Sequence, residues 1–385
     1  MSKLSHRLDG FGESVIRKMT RIANQHGAIN LSQGFPDFDP PKALIEELQR
    51  VAIEGPHQYA VTWGAQNFRE ALAKKQEHFM GIKLNPDENI VVTCGSTEAM
   101  MTAMMAICDS GDKVAIFSPF YENYVADTVL CGAEPIYIPL KPPTFNFDKE
   151  ELEVAFKAGA KALILCNPSN PTGKVFTKEE LLDIAQLVKA YDAYVITDEV
   201  YEHIVFEPYK HHYFASLPGM FERTISCSSL SKTYSITGWR LGYVIAPKVI
   251  IDQCKKVHDF LTVGAAAPLQ EAATVGLKLE DDYYKELTAL YGKKRELFLS
   301  GLDSIGLKYF KPEGAYYVMV DIEEFGVSSD YEFAKRLIKE VGVAAVPGSS
   351  FFKEPVNQYI RFHFAKKPET LELALERLTQ IKKHF

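Results

Sequence analysis

One lysine, Lys232, stands among small hydroxyls. Ser231 is beside it, Ser229 lies three residues before it, and Arg240 comes eight residues after. A lysine next to anion-binding groups suits an amine that forms a Schiff base with a phosphorylated aldehyde. Serine hydroxyls and a guanidinium can hold the phosphate, because the planar fork of arginine grips phosphate through two parallel hydrogen bonds. Pyridoxal 5'-phosphate (PLP) is a cofactor of that description.

Four upstream segments add chemistry of the same kind. Gly95, Ser96 and Thr97 stand between a strand-like run and a helical one. Backbone N–H groups there face whatever lies off the helix end, and the helix dipole favours an anion. A plain strand-to-helix turn is the alternative. Asn167-Pro168-Ser169-Asn170-Pro171-Thr172-Gly173 follows another apolar run. Its prolines and glycine stiffen the backbone, so Asn170 can be aimed. Asp198 and Tyr201 fall at the carboxyl end of a third run, where open α/β sheets bind ligands. An anionic carboxylate there would keep a pyridine nitrogen protonated and make the ring an electron sink. Phe120 and Tyr121 follow a fourth run and offer one aromatic ring for stacking.

These side chains need a scaffold. Apolar runs at 90–94, 113–117, 134–138, 162–166, 193–197, 224–228 and 242–246 show little in/out alternation. Strands buried on both faces look like that and belong to parallel sheets covered by helices. Helix-period segments separate them, including 97–108, 178–191 and 248–261. The expected fold is α/β, with a large domain over 40–277 built on a mostly parallel seven-stranded sheet. After about residue 277 the pattern changes to a long helix at 283–303, strands at 308–310, 316–321 and 359–364, and helices at 331–341 and 368–385. That unit, joined by an N-terminal arm over 1–39 with a helix near 13–26, reads as a smaller, discontinuous α+β domain.

The chain resembles the class I/II aminotransferases, the fold-type I PLP enzymes. Asn170, Asp198, Tyr201, Lys232 and Arg240 occur in that family's order and at its approximate spacings, and the likeness runs from Gln33-Gly34 to Arg361. The segment Gln33-Gly34-Phe35-Pro36-Asp37-Phe38 points to the subgroup of kynurenine, methionine, aromatic and aspartate aminotransferases. The resemblance implies Lys232, Asp198 and Tyr201 as catalytic residues. It implies phosphate contacts from Ser229, Ser231, Arg240 and the Gly95–Thr97 turn. Asn170 and Tyr201 would meet the ring oxygen, Asp198 the ring nitrogen, and Tyr121 the ring face. Arg361 would clamp the substrate carboxylate, with Gly34 and Asn170 at the same end; a structural salt bridge is the alternative for Arg361. Tyr59 would reach the phosphate of a neighbouring subunit, which implies a homodimer with shared sites; an ordinary buried tyrosine is the alternative.

The implied activity is ping-pong transfer of an amino group from an L-amino acid to a 2-oxo acid such as 2-oxoglutarate, through a Schiff base on Lys232. A PLP-dependent C–S β-lyase would use the same lysine, aspartate and arginine. Dicarboxylate-specific relatives carry a second arginine in the region matching 259–270, and this chain has no basic residue there. Apolar, aromatic or methionine donors are therefore expected over aspartate.

The totals set limits. The 385 residues carry a net charge of −7, which gives no electrostatic case for binding nucleic acid or anionic membrane. Six cysteines without CxxC pairing suit reduced thiols in the cytoplasm. No apolar leader or bilayer-length run is evident. The histidines show no metal-ligand spacing.

Overall fold

The computed structural model describes residues 4–10 and 12–385, so the first three residues of the start expected to lack an apolar leader lie outside the described residues. Eight strands form the large sheet. In spatial order they are Ile90–Thr93, Gly242–Ile245, Thr224–Ser229, Tyr194–Asp198, Ala160–Cys166, Lys113–Ser118, Glu134–Lys141 and Asn146–Phe147. The five strands from Thr224–Ser229 to Glu134–Lys141 pair parallel. Gly242–Ile245 runs antiparallel to both neighbours.

The expected count of seven strands is corrected to eight. The extra one, Asn146–Phe147, is a two-residue hairpin partner of Leu140 and Lys141. It has no apolar run to announce it; pairing comes from the turn that folds it back.

Ile90–Thr93, Tyr194–Asp198, Thr224–Ser229 and Gly242–Ile245 bury nearly every residue, as strands covered on both faces must. Helix Lys178–Ala190 starts at a capping box between Thr177 and Glu180. Helix Ser96–Ile107 begins directly after Gly95, whose φ of 84° demands a residue without Cβ.

The second sheet is antiparallel, in the order Lys308–Phe310, Tyr317–Asp321, Tyr359–His363 and Val346–Pro347. The N-terminal arm joins this side of the molecule through Ile29–Asn30, which pairs parallel with Val343–Ala344. Helix Asp281–Ile305 spans the long periodic stretch. The helix expected over 331–341 is α-helical over Asp330–Arg336, then widens into a π turn, Leu337–Val341, before Gly342 at φ 79° ends it. The last helix breaks after Leu378 and resumes at Ile381–His384. One apolar cluster joins Val200, Tyr201 and Ile204, next to the large sheet, to Tyr316, Val318 and Phe362 of the small one. The two sheets are therefore held against each other by shared core, and the site lies along that seam.

Candidate active site

Strand ends deliver the chemistry. Thr224–Ser229 runs into a single helical turn, Leu230–Thr233, capped by the Ser229 hydroxyl, which accepts from the Ser231 N–H. Lys232 sits on that turn, and its Nζ donates to the Gly34 carbonyl at 3.2 Å. Burial pushes its pKa down to about 8. The Asp198 carboxylate opposes that shift, and the Arg240 and Arg361 cations add to it.

Asp198 ends its strand and is buried. Its Oδ2 accepts from the Tyr124 phenol at 2.8 Å, and its Oδ1 from the Val200 N–H at 3.4 Å. Burial raises its pKa, and those two hydrogen bonds pull it back.

Arg361 is 1% exposed, yet no carboxylate among the described residues pairs with it. Its Nη1 donates to Asn170 Oδ1 at 2.5 Å and its Nη2 to the Ser32 carbonyl at 2.9 Å; its Nε is buried without a partner. The Tyr317 and Phe351 rings flank the guanidinium at 4.1 and 4.5 Å. A buried arginine held by neutral groups is a costly arrangement that an incoming anion would relieve. Tyr201 and Tyr317 share a hydroxyl contact of 2.9 Å.

At the other end, a Cβ on Gly95 would fall 2.3 Å from Arg240 Nη2. One on Gly242 would fall 2.3 Å from the Gly95 carbonyl carbon and 2.6 Å from the Ser96 nitrogen. Two missing side chains thus let a helix N-terminus, a strand and a guanidinium meet. Arg240 itself is held at a φ of 54°, with Nη1 donating to the Thr237 carbonyl.

Between these two ends lies a cavity of about 460 Å³. Every site residue expected from the sequence lines it except Gly95 and Tyr59. Gly95 lies just behind, under Arg240. Tyr59 is 86% exposed and stands outside this chain's cavity, so it is not the buried tyrosine of the alternative reading. Of the two aromatics after Ser118, Tyr121 lines the cavity, whereas Phe120 packs on Tyr137 at 5.5 Å. The sequence reading missed Arg17, Gln33 and Glu122, which also line the cavity, and Tyr124, which supports Asp198 from behind. Tyr317 lines the cavity as well.

A family model, aminotransferase class I and II, matches residues 26–378. The chain belongs to that family. It is 38% identical over 376 residues to the methionine aminotransferase of Escherichia coli, covering 97% of each chain. It is 36% identical to kynurenine–oxoglutarate transaminase 3 of Bos taurus, covering 97% of this chain and 89% of that one. The solved structure of the Escherichia coli methionine aminotransferase superposes with a TM-score of 0.94 at 37% identity, covering 99% of this chain and 100% of that one. This aminotransferase is a PLP-dependent enzyme, and its site fits that cofactor. Among the described residues the buried Asp198 carboxylate forms no ion pair, the glycine-walled end offers donors to a phosphate, and Lys232, of lowered pKa, lines the same cavity. Among the described residues no helix is long and apolar enough to cross a membrane.

Proposed function

We propose that this aminotransferase takes an L-amino acid with an apolar, aromatic or thioether side chain as donor, with aspartate also admitted, and passes its amino group to a 2-oxo acid such as 2-oxoglutarate. The observation that carries this reading is the single cavity shared by Lys232, Asp198 and Arg361, residues far apart in the chain. The absence of any basic residue between 259 and 270 supports the donor class.

When bound, PLP supplies an aldehyde for the lysine and an electron sink for charge at the substrate Cα. The protein supplies the rest. Ser96, Thr97, Ser229, Ser231 and Arg240 hold the phosphate end. Asp198 keeps the ring nitrogen protonated, and Tyr201 and Asn170 direct hydrogen bonds to the ring oxygen. Tyr121 covers a ring face. Arg361 orients the substrate by its carboxylate, with Gly34 close by to limit bulk: a Cβ there would strike the Tyr317 hydroxyl. Lys232 Nζ, its pKa lowered to about 8 by burial, would be the base for the substrate Cα proton.

The working unit in this proposal is a homodimer, in which Tyr59 completes the phosphate site of the partner. The 59–63 segment lies against the end of helix Lys248–Thr262, where His258 Nε2 meets the Thr62 carbonyl at 2.9 Å. Tyr59, Val61, Phe260 and Val263 are all exposed there. An apolar patch of this kind marks a protein interface. Six unpaired thiols, four of them buried, support a reducing, cytoplasmic setting.

A panel of L-amino acids tested against 2-oxoglutarate, read by the 2-oxo acid product, checks the assignment. Release of pyruvate and ammonia from cysteine conjugates, without amino transfer, would overturn it.

A further inference from the structure

The cavity is lined partly by the N-terminal segment, which contributes Ser14, Arg17 and Gln33. Ser14 caps helix Val15–Gln25, and its hydroxyl donates to the Glu122 carboxylate. Gln33 Oε1 accepts from Thr20 at 3.1 Å. Arg17 is different. It lies in the first turn of that helix, is exposed, and lines the cavity. Its backbone N–H bonds to Ser14, but its guanidinium has no hydrogen bond or ion pair among the described residues. A cation in the first turn also sits at the unfavourable end of the helix dipole. Helix stability therefore does not account for it.

The charges lining the cavity point to a use. They are four cations, Arg17, Lys232, Arg240 and Arg361, and two carboxylates, Asp198 and Glu122. On the proposed function, Arg240 meets the phosphate, Arg361 the substrate α-carboxylate, and Asp198 the ring nitrogen. Glu122 is engaged by Ser14. Arg17 is the cation left over, and the 259–270 segment supplies no other.

We propose that Arg17 receives the distal carboxylate of a dicarboxylic substrate, 2-oxoglutarate and its product L-glutamate. Acceptor choice is then set by the chain's own first helix. Monocarboxylic donors use the same space without engaging the guanidinium, so one site serves both halves of the reaction. This inference rests on the acceptor proposed above.

The test compares 2-oxoglutarate with phenylpyruvate as acceptor for one amino donor, using the PLP-loaded enzyme. In Arg17→Met the ratio of kcat/KM for 2-oxoglutarate over phenylpyruvate falls by about tenfold to a hundredfold, the scale of a lost charge-assisted hydrogen bond. The loss appears mainly in KM, and Arg17→Lys recovers part of it. In the unaltered enzyme the same ratio declines as salt is raised, because the side chain is exposed to screening. A ratio unchanged in Arg17→Met, or an equal loss with both acceptors, overturns the inference. An unaltered enzyme that uses phenylpyruvate but not 2-oxoglutarate overturns the acceptor reading along with it and leaves the transaminase assignment standing.

Discussion

The Tyr124 phenol donates to Oδ2 of Asp198 at 2.8 Å, from the first turn of helix Asn123–Leu130. This bond lowers a carboxylate pKa that burial raises. Tyr124→Phe therefore weakens the anionic form of Asp198. One hydrogen bond to a charged group is worth about 1.5–3 kcal/mol. The expected outcome is a kcat reduced by about tenfold or more with PLP still bound, and a pH–rate profile whose acidic limb moves to higher pH. A profile that keeps its acidic limb in place would show that Tyr124 does not tune Asp198.

The amine of Lys232 should announce itself during cofactor loading. Only the neutral amine adds to an aldehyde. With its pKa lowered to about 8, the neutral fraction grows as pH rises through 8 and is nearly complete well below the ordinary lysine range. The rate of PLP uptake by cofactor-free enzyme, followed by imine absorbance, should level off above about pH 9. A rate still climbing at pH 10.5 contradicts this. Lys232→Ala should show no imine band and a loss of turnover of at least ~10²–10⁴-fold, the usual worth of a positioned acid–base group.

Asp127 is buried with an unpartnered Oδ2, and burial, joined by the Asp198 charge, raises its pKa to about 7. A carboxyl whose folded pKa is raised binds its proton more tightly in the folded state. Stability is then highest below the unfolded pKa and falls as pH rises toward and through 7. The loss is on the order of 4 kcal/mol by pH 8. Asp127→Asn should flatten the melting temperature between pH 5 and 8. Superimposable profiles for the two proteins would dispose of the idea.

The proposed sharing of sites between two chains is tested by a mixing experiment. Lys232→Ala and Tyr59→Ala chains, each weak or inactive alone, should regain activity after they are unfolded together and refolded. One site of each mixed dimer then has its own Lys232 and the partner's Tyr59. No regain, with dimers formed, means that Tyr59 serves no second chain.

Much of this site could be read directly because each motif closes an apolar strand. Asp198, Asn170 and Lys232 all follow runs that hydrophobicity alone marks as buried. What escaped lacks that frame. Tyr124 is one turn into a helix and reaches Asp198 only because helix Asn123–Leu130 packs behind the strand. Arg17, in the first turn of a helix, and Glu122, the residue just before one, stand outside any apolar run, and only the folded arm brings them to one cavity. Asn146–Phe147 and Ile29–Asn30 are strands of two residues, too short for periodicity, and exist through pairing partners distant or turned back in the chain.

The pairing of Ile29–Asn30 with Val343–Ala344 fastens the N-terminal arm to the segment leading into strand Val346–Pro347. At the cofactor end a carbon added to Gly95 or Gly242 collides with Arg240 or with backbone. In the first helix Ile16, Met19 and Ala23 are packed into core, whereas Arg17 is exposed and carries no such constraint. On the role proposed for Arg17, acceptor preference would change with that one exposed side chain, while Lys232 and Asp198 stay in place.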